Sequence, residues 1–313
     1  MTLYIVVPCY NEQEVLSETS SRLKQKMLSL QESGIIDEES RVMFVDDGSR
    51  DNTWQMISNL VKEDKLFSGV KLSKNQGHQN ALLAGLMTAK QYADCVISMD
   101  ADLQDDIDAV DRFVEKHIEG NDVVYGVRSS RKKDSFFKRT TAQGFYKFMK
   151  LLGVDIVYNH ADYRLMSKRA LDALEQYTEV NLFLRGIVPL IGFKWDVVEY
   201  ERNERFAGES KYPLKKMLSF AFDGITSFSV RPIRIITSIG FLIFLASLIS
   251  IIVLLVLKLV GTTVQGWTTL MASIWMIGGI QLLSLGVIGE YVGKIYKEVK
   301  HRPRYIIETI EKR

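Results

Sequence analysis

The sequence contains few cysteines and no leader pattern. Only two cysteines, Cys9 and Cys95, occur in 313 residues, which excludes a disulfide framework and a cysteine-based metal site. Each lies in an apolar run, so we expect both to be buried core thiols. No basic segment leads into an apolar stretch after Met1, and no small-residue cleavage site follows. The sequence therefore predicts no secretory signal and a cytoplasmic first domain.

An excess of charge of one sign is also lacking. The chain has 40 basic and 38 acidic side chains, a formal net charge of +2. A dedicated nucleic-acid binder normally shows a dominant basic face, so we expect no nucleic-acid partner. Three of the histidines, His117, His160 and His301, show no metal-ligand spacing.

Hydropathy divides the chain into a soluble part and a membrane part. Residues 1–212 have an ordinary soluble composition, and residues 233–293 are mostly apolar. The segment between them, 213–232, mixes lysines with large apolar side chains, which is typical of an amphipathic helix in the membrane interface. The alternative is a helix packed on the soluble domain. A basic tail, 294–313, ends the chain.

Two transmembrane helices are predicted, at about 235–257 and 268–290. Each is long enough to cross a hydrocarbon core about 30 Å thick, and the short linker between them predicts an antiparallel hairpin. Basic residues cluster before the first and after the second, so the positive-inside rule predicts an inner-membrane, multi-pass protein with both termini in the cytoplasm. Gln281 and Glu290 lie in or near the second helix, where polar groups usually face protein partners. They predict a homo-oligomer.

Short apolar runs alternate with helical patterns in the soluble part. Strands are predicted at 3–8, 42–45, 70–72, 95–99 and 123–126, and helices at 12–33, 52–62, 76–89 and 106–119. This alternation is typical of an α/β fold with parallel strands joined by right-handed crossovers. The ligand site of such sheets lies beyond the carboxyl ends of the strands.

Acidic and polar clusters follow three of these strands. They are Asn11-Glu12, Asp46-Asp47 and Asp100-Ala101-Asp102. Asp100 and Asp102, with Gln104, could share a divalent cation that also binds phosphate oxygens, because magnesium keeps few protein ligands. Asp46 and Asp47 could accept hydrogen bonds from a nucleobase or ribose, or could cap the turn before the second helix. His78 could touch a donor molecule or form a structural hydrogen bond.

These motifs, in this order, resemble the signature of family 2 inverting glycosyltransferases with the Rossmann-like GT-A fold. The resemblance is closest to polyprenyl-phosphate glycosyltransferases: the dolichyl-phosphate mannose synthase group and its bacterial GtrB-like relatives. It covers essentially the whole chain and includes the C-terminal hairpin. The segments that carry it are Pro8–Glu12, Val45–Thr53, Asn75–Gln79, Met99–Asp105, Asp162–Met166 and Ala207–Tyr212.

The resemblance implies a role for each matching position. The metal, Mg²⁺ or Mn²⁺, would be held by Asp102, Gln104 and Asp100. The catalytic group would comprise Asp162, Asp102 and Arg128. The residues implied to bind the nucleotide sugar are Pro8, Tyr10, Glu12, Asp46, Asp47, Lys74, Gly77, His78, Asp100 and Ala101. Those implied to bind the lipid phosphate are Arg128, Arg205, Ser210 and Lys211. Asp162 is open to three interpretations: a base, an orienting group for a cation, or a contact to a sugar hydroxyl.

The implied activity is inverting, metal-dependent transfer of a hexose, from UDP-glucose first, to undecaprenyl phosphate. UDP-N-acetylglucosamine and GDP-mannose are the alternative donors. The implied partners are the nucleotide sugar, the polyprenyl phosphate and the membrane, with a flippase and a downstream transferase acting on the product. A hypothesis from another class is a non-catalytic, nucleotide-binding membrane adaptor, which would not need an intact carboxylate pair.

Overall fold

The computed structural model describes residues 1–128, 160–180, 182–201 and 266–313, together with helical residues at 233, 236–243, 245 and 249. These residues divide between two compact units. The first contains the sheet, its helices and the C-terminal segment Arg302–Arg313. The second contains the long apolar helix that precedes this segment.

The first unit is built on a mixed sheet. Its strands are β1 (Leu3–Cys9), β2 (Arg41–Asp46), β3 (Phe67–Leu72), β4 (Cys95–Ser98), β5 (Val123–Arg128), β6 (His160–Ser167), β7 (Trp195–Tyr200) and β8 (Ile307–Lys312). They lie in the order β7-β5-β6-β4-β1-β2-β3-β8. Parallel pairing of β1 with β2 and β4, and of β2 with β3, confirms the α/β prediction for the centre of the sheet.

Helices cover both faces of this sheet. They are α1 (Leu16–Glu32), α2 (Thr53–Glu63), α3 (His78–Ala89), α4 (Ala109–Ile118), α5 (Lys168–Glu175) and α6 (Leu184–Leu190). Successive side chains of a strand point to opposite faces. Leu3, Ile5 and Val7 of β1 therefore share one apolar cluster with α1, α2 and α4. Val6 points the other way and packs against Gly85 of α3.

Burial on both faces explains the composition of the central strands. All seven residues of β1 are buried, and a strand covered on both sides is apolar throughout rather than alternating. Cys9 and Cys95 are free and buried in this core, as expected. Burial raises the pKa of both thiols, that of Cys95 to about 12.

Three strands were not expected from the sequence. β6 enters between β4 and β5 and runs antiparallel to both, and β7 pairs with β5 at one sheet edge. β8 lies within the segment predicted as a basic tail, and it forms the other edge by antiparallel pairing with β3. Nη1 of Arg313 donates a 2.7 Å hydrogen bond to the Lys62 carbonyl, which fixes the end of β8 to α2.

The second unit contains α7 (Trp267–Val299). Its segment Met276–Val299 is, within the described ranges, the one helix long and apolar enough to cross a membrane. The predicted second transmembrane helix, 268–290, lies inside α7. Most of the predicted first one, 235–257, lies outside the described residues, although 236–243 is helical. The predicted amphipathic helix at 213–232 also lies outside them.

Close packing of α3 on the sheet generates a stability prediction. A Cβ added at Gly85 would lie 2.4 Å from Cγ1 of Val6 and 2.6 Å from Cγ2 of Val45. Because valine side chains are stiff, Gly85→Ala should force a backbone shift and cost about 1–3 kcal/mol of stability. Thermal unfolding of the full chain in detergent measures this. Gly286→Ala is the control, since a Cβ there meets no described atom within 4 Å. Equal melting temperatures for Gly85→Ala and Gly286→Ala would contradict this close packing of α3 on the sheet.

Candidate active site

The carboxyl ends of β1, β2 and β4 meet at one edge of the sheet. β1 lies between the other two strands. The Asp47 amide donates to the Cys9 carbonyl at 2.9 Å, and the Met99 amide donates to the Val6 carbonyl at 3.1 Å. The three polar clusters predicted from the sequence follow these strands directly. Parallel pairing therefore brings them together, as the crossover pattern predicted.

The carboxylate of Asp47 holds the loop between β3 and α3. Its two oxygens accept hydrogen bonds from the backbone amides of Gln76, at 2.7 Å, and Gly77, at 2.9 Å. Burial raises the pKa of Asp47, and these two hydrogen bonds partly offset the effect. Both hydrogen bonds belong to the protein itself, so Asp47 has a structural role whether or not it also contacts a nucleoside.

The carboxylates of Asp46 and of the turn after it also accept hydrogen bonds from backbone amides of the protein. The Ser49 amide lies 3.3 Å from both carboxylate oxygens of Asp46, which is fully buried. Asp51 Oδ1 accepts from the Thr53 amide at 3.0 Å at the start of α2. These contacts support the capping interpretation of the turn; a nucleoside role for Asp46 stays a prediction.

Gly48 allows the loops after β2 and β3 to touch. Its φ is +66°, and a Cβ there would lie 2.6 Å from the Asn75 amide nitrogen and 2.9 Å from Cα of Lys74. Any side chain at Gly48 would push Lys74 and its loop away from the sheet edge.

Three further residues predicted to bind the nucleotide sugar differ in how exposed their side chains are. Tyr10 is exposed at the site edge and Glu12 is half-buried, whereas Pro8 is buried inside β1 opposite Val45. Asn11 has a positive φ of 56°, and its side chain accepts from the Arg50 amide at 2.9 Å. Pro8 therefore shapes the sheet edge from within.

A strained turn carries the two aspartates after β4. Leu103 has a φ of 57°, an uncommon conformation for this residue type. Oδ1 of Asp102 accepts from the Gln104 amide at 3.2 Å. The Ala101 carbonyl accepts from Oγ1 of Thr19 at 2.8 Å, which ties the turn to α1. Backbone strain of this kind is typical of functional sites.

Asp100 has a carboxylate oxygen suited to a ligand. Its Oδ1 is buried and accepts no hydrogen bond within the described part of the chain. Nε2 of His78 lies 3.4 Å from this oxygen. A buried carboxylate oxygen is normally paired or bound to a metal. The described residues contain no cluster of three or more His, Cys, Asp or Glu side chains that could hold a metal, so an ion on Asp100 and Asp102 would need ligands from Gln104, substrate or water.

Asp162 lies in a network of basic side chains. Nη2 of Arg164 donates to its Oδ1 at 2.7 Å. Arg185 donates to both oxygens, from Nε at 3.1 Å and from Nη2 at 3.0 Å. Burial raises the pKa of Asp162, but Arg185, His78 and Arg164 together hold it well below its usual range. An ionised, doubly paired carboxylate is suited to orienting cations and poorly suited to accepting a proton.

His78 connects this network to Asp100. Its Nε2 lies 3.7 Å from Oδ2 of Asp162 as well as 3.4 Å from Asp100. Burial lowers the pKa of His78, but the carboxylates of Asp162 and Asp100 outweigh that effect and raise it to about 9. His78, the first residue of α3, therefore carries a positive charge within the site.

A second group of side chains surrounds Arg128 at the end of β5. The Tyr200 hydroxyl donates to Oδ1 of buried Asp105 at 2.6 Å, and Nη2 of Arg128 lies 3.6 Å from the same oxygen. Burial and the charge of Asp100 raise the pKa of Asp105 to about 6. Asp105 and Tyr200 therefore orient Arg128, the cation predicted to face phosphate.

Several site residues were missed by the sequence analysis. Arg185 and Tyr200 have no motif, and their partners are 23 and 95 positions away in the chain. Arg164 was considered only as a group that Asp162 could orient. The predicted lipid-phosphate residues Arg205, Ser210 and Lys211 lie outside the described residues.

Comparison with known proteins identifies the family. Residues 4–175 match the model of glycosyl transferase family 2, and residues 231–295 match the GtrB C-terminal hairpin. The chain belongs to glycosyl transferase family 2. This family 2 glycosyltransferase therefore has the GT-A-like sheet that the sequence predicted, and the hairpin and apolar helix are typical of membrane association.

Two curated relatives match almost the full length of this glycosyltransferase. An uncharacterized glycosyltransferase of Bacillus subtilis, YkoT, is 58% identical over 98% of this chain and 91% of its own. A bactoprenol glucosyl transferase of Shigella phage SfV is 39% identical over 99% of each chain. Among solved structures, a Pyrobaculum calidifontis mannosyltransferase in complex with GDP-Man and Mn²⁺ is 14% identical, with a TM-score of 0.45 over 94% of this chain and 84% of its own.

The role of Asp47 generates a prediction for the loop that it holds. Asp47→Asn replaces one acceptor oxygen with an amide donor that faces a backbone N–H, which leaves a buried donor unsatisfied at a cost of about 1–3 kcal/mol. Hydrogen–deuterium exchange at Gln76 and Gly77 should therefore accelerate. Asp94→Asn is the matched control, because Asp94 accepts from the Thr2 amide at 2.8 Å at the opposite edge. Unchanged exchange at Gln76 and Gly77 in the Asp47 variant would show that the carboxylate does not hold the loop.

Proposed function

We propose that this glycosyltransferase moves a hexose from a nucleotide sugar to undecaprenyl phosphate at the cytoplasmic face of the membrane. UDP-glucose is the donor favoured here, and UDP-N-acetylglucosamine and GDP-mannose are alternatives. The observation that carries the donor side is the buried Oδ1 of Asp100, beside Asp102 at the carboxyl edge, which accepts no hydrogen bond within the described residues. The acceptor is inferred from the full-length likeness to a bactoprenol glucosyl transferase.

The carboxylates suit a divalent cation shared with a diphosphate. Asp100 and Asp102, with Gln104, would hold Mg²⁺ or Mn²⁺, both of which accept oxygen ligands. The ion would neutralise charge on the departing diphosphate. A non-catalytic adaptor would not need an intact carboxylate pair with an oxygen that accepts no hydrogen bond, so the geometry favours an enzyme over the adaptor hypothesis.

The acceptor needs positioning more than it needs a base. A phosphate monoester already carries negative charge near neutral pH, so its oxygen can attack the anomeric carbon directly while the bond to the diphosphate breaks. Asp162 therefore acts as an orienting group for cations. Arg128, oriented by Tyr200 and Asp105, is the phosphate-binding candidate in the described part of the site.

The direction of attack sets the stereochemistry of the product. Attack opposite the departing diphosphate inverts the anomeric centre, so an α-linked donor gives a β-linked lipid. Proton NMR of the product tests this part of the proposal, and an α-linkage would refute it.

The C-terminal strand supports a two-helix membrane hairpin. β8 pairs with β3 in the sheet that also contains the N-terminal strands, so the two ends of the chain lie on one side of any membrane. The segment between residues 201 and 302 must then cross an even number of times. If α7 crosses once, the predicted first transmembrane helix at 235–257 would make the total even. The positive-inside rule puts the sheet in the cytoplasm. A homo-oligomer, a flippase and a downstream transferase are the partners proposed.

The transfer reaction is tested with the full chain in detergent. Radiolabelled UDP- and GDP-sugars are offered with undecaprenyl phosphate, with and without Mg²⁺ or Mn²⁺. We expect metal-dependent label in the lipid phase from one donor, reduced about a hundredfold or more in Asp102→Ala because the diphosphate loses its counter-charge.

A control variant removes a carboxylate from the same loop. Asp108→Ala deletes an exposed side chain that pairs with Lys26, and it should transfer at the wild-type rate. If folded wild-type protein binds nucleotide yet transfers nothing from any donor, the adaptor hypothesis gains and the enzyme proposal fails.

A further inference from the structure

Arg185 is a second guanidinium on a carboxylate that already has one. Arg164 is almost fully buried and donates to Oδ1 of Asp162 at 2.7 Å. This hydrogen-bonded pair already opposes the buried negative charge. Arg185 adds a two-pronged contact to the same carboxylate. Two guanidinium groups therefore face one carboxylate, which is one positive charge more than Asp162 carries.

The two arginines differ in exposure. The side chain of Arg164 is 2% exposed, whereas that of Arg185 is 32% exposed. Asp162 fixes one edge of the Arg185 guanidinium, and the group remains open to solvent in part. A guanidinium held at one edge and reachable from solvent is suited to binding a planar or tetrahedral oxyanion.

Arg185 lies near the carboxylate proposed to hold the metal. Nη2 of Arg185 and Nε2 of His78 both lie near Oδ2 of Asp162, at 3.0 and 3.7 Å, and the same Nε2 lies 3.4 Å from Oδ1 of Asp100. The base of its side chain is also fixed. The Leu184 amide, at the start of α6, donates to Oε1 of Gln79 in α3 at 3.0 Å.

A metal on Asp100 and Asp102 would bring an anionic substrate group to this edge, because magnesium fills most of its coordination with phosphate oxygens and water. Arg185 presents a partly exposed guanidinium beside these carboxylates.

We propose that Arg185 binds a phosphate group of the substrate, with Asp162 as the residue that orients it. This inference rests on the proposed function, and it deepens that function by assigning a phosphate ligand. The phosphate is either the diphosphate of the donor or the phosphate of the polyprenyl acceptor. Both present oxyanions that a guanidinium can bind in bidentate fashion.

Binding measurements on Arg185→Gln test the assignment. The full chain in detergent is titrated with UDP in the presence of Mn²⁺, and separately with undecaprenyl phosphate. Loss of a charged hydrogen-bonded contact should weaken one of these affinities about ten- to a hundredfold. Weaker UDP binding identifies the donor diphosphate, and weaker lipid binding identifies the acceptor phosphate. Equal affinities of folded variant and wild type for both ligands would overturn the inference.

Arg169→Gln is the matched control. Arg169 also pairs with an aspartate, Asp122, through Nε at 3.2 Å and through Nη2. Asp122 precedes β5, at the sheet edge opposite the site. This variant removes an arginine–aspartate pair of the same kind, and both affinities should equal those of the wild type.

A second background separates phosphate binding from charge pairing. In Asp162→Asn a neutral amide replaces the carboxylate that pairs with Arg185, so removing Arg185 deletes no counter-ion of residue 162. If Arg185 binds phosphate, Asp162→Asn/Arg185→Gln should bind the same ligand about ten- to a hundredfold more weakly than Asp162→Asn alone. Equal binding by these two variants would show that Arg185 serves only Asp162.

The wild type distinguishes this inference from the proposed function. If wild-type protein binds UDP and undecaprenyl phosphate and transfers sugar, while Arg185→Gln binds both equally well, the inference alone fails. If wild-type protein binds neither ligand and transfers no sugar, the proposed function fails and the inference fails with it.

Discussion

The buried carboxylate of Asp162 is the charge around which the site is arranged. A carboxylate removed from water is costly unless cations and hydrogen bonds compensate it. Its partners come from three elements: Arg164 from β6, Arg185 from α6 and His78 from the start of α3. Satisfying one charge therefore fixes how these elements meet. Because His78 also contacts Asp100, the same network extends to the turn after β4.

Hydrogen bonds to buried aspartates also hold the neighbouring loops in place. Asp47 fixes the loop that leads into α3, and Asp105, through Tyr200, orients Arg128 at the end of β5. Asp47, which was predicted to bind the nucleotide sugar, and Asp105, which was given no role, both hold parts of the protein itself in place. Asp100 differs from Asp47 and Asp105 because no hydrogen bond from the described residues reaches its buried Oδ1. Asp100 is therefore the carboxylate proposed to bind a ligand.

The central sheet could be predicted from the sequence because its strands are buried on both faces, which makes them continuous apolar runs. β7 and β8 could not, since each is an edge strand in which charged residues such as Asp196 and Glu311 interrupt the apolar run. The strand-end clusters were predictable from topology. The place of Arg185 in the site could not be predicted, because it depends on a contact with Asp162 that no local sequence pattern encodes. Pro8 is buried within β1, and its predicted role in the nucleotide site stays a prediction.

The central claim is that Asp100 and Asp102 form the cation-binding edge of a nucleotide-sugar site. The most direct test is an anomalous difference map at the manganese edge, from crystals of the full chain grown with UDP and Mn²⁺. The account predicts one strong peak within coordination distance, about 2.0–2.3 Å, of carboxylate oxygens of Asp100 or Asp102, and beside the diphosphate. Bound UDP with manganese at another place, or with no manganese peak at this turn, would contradict it.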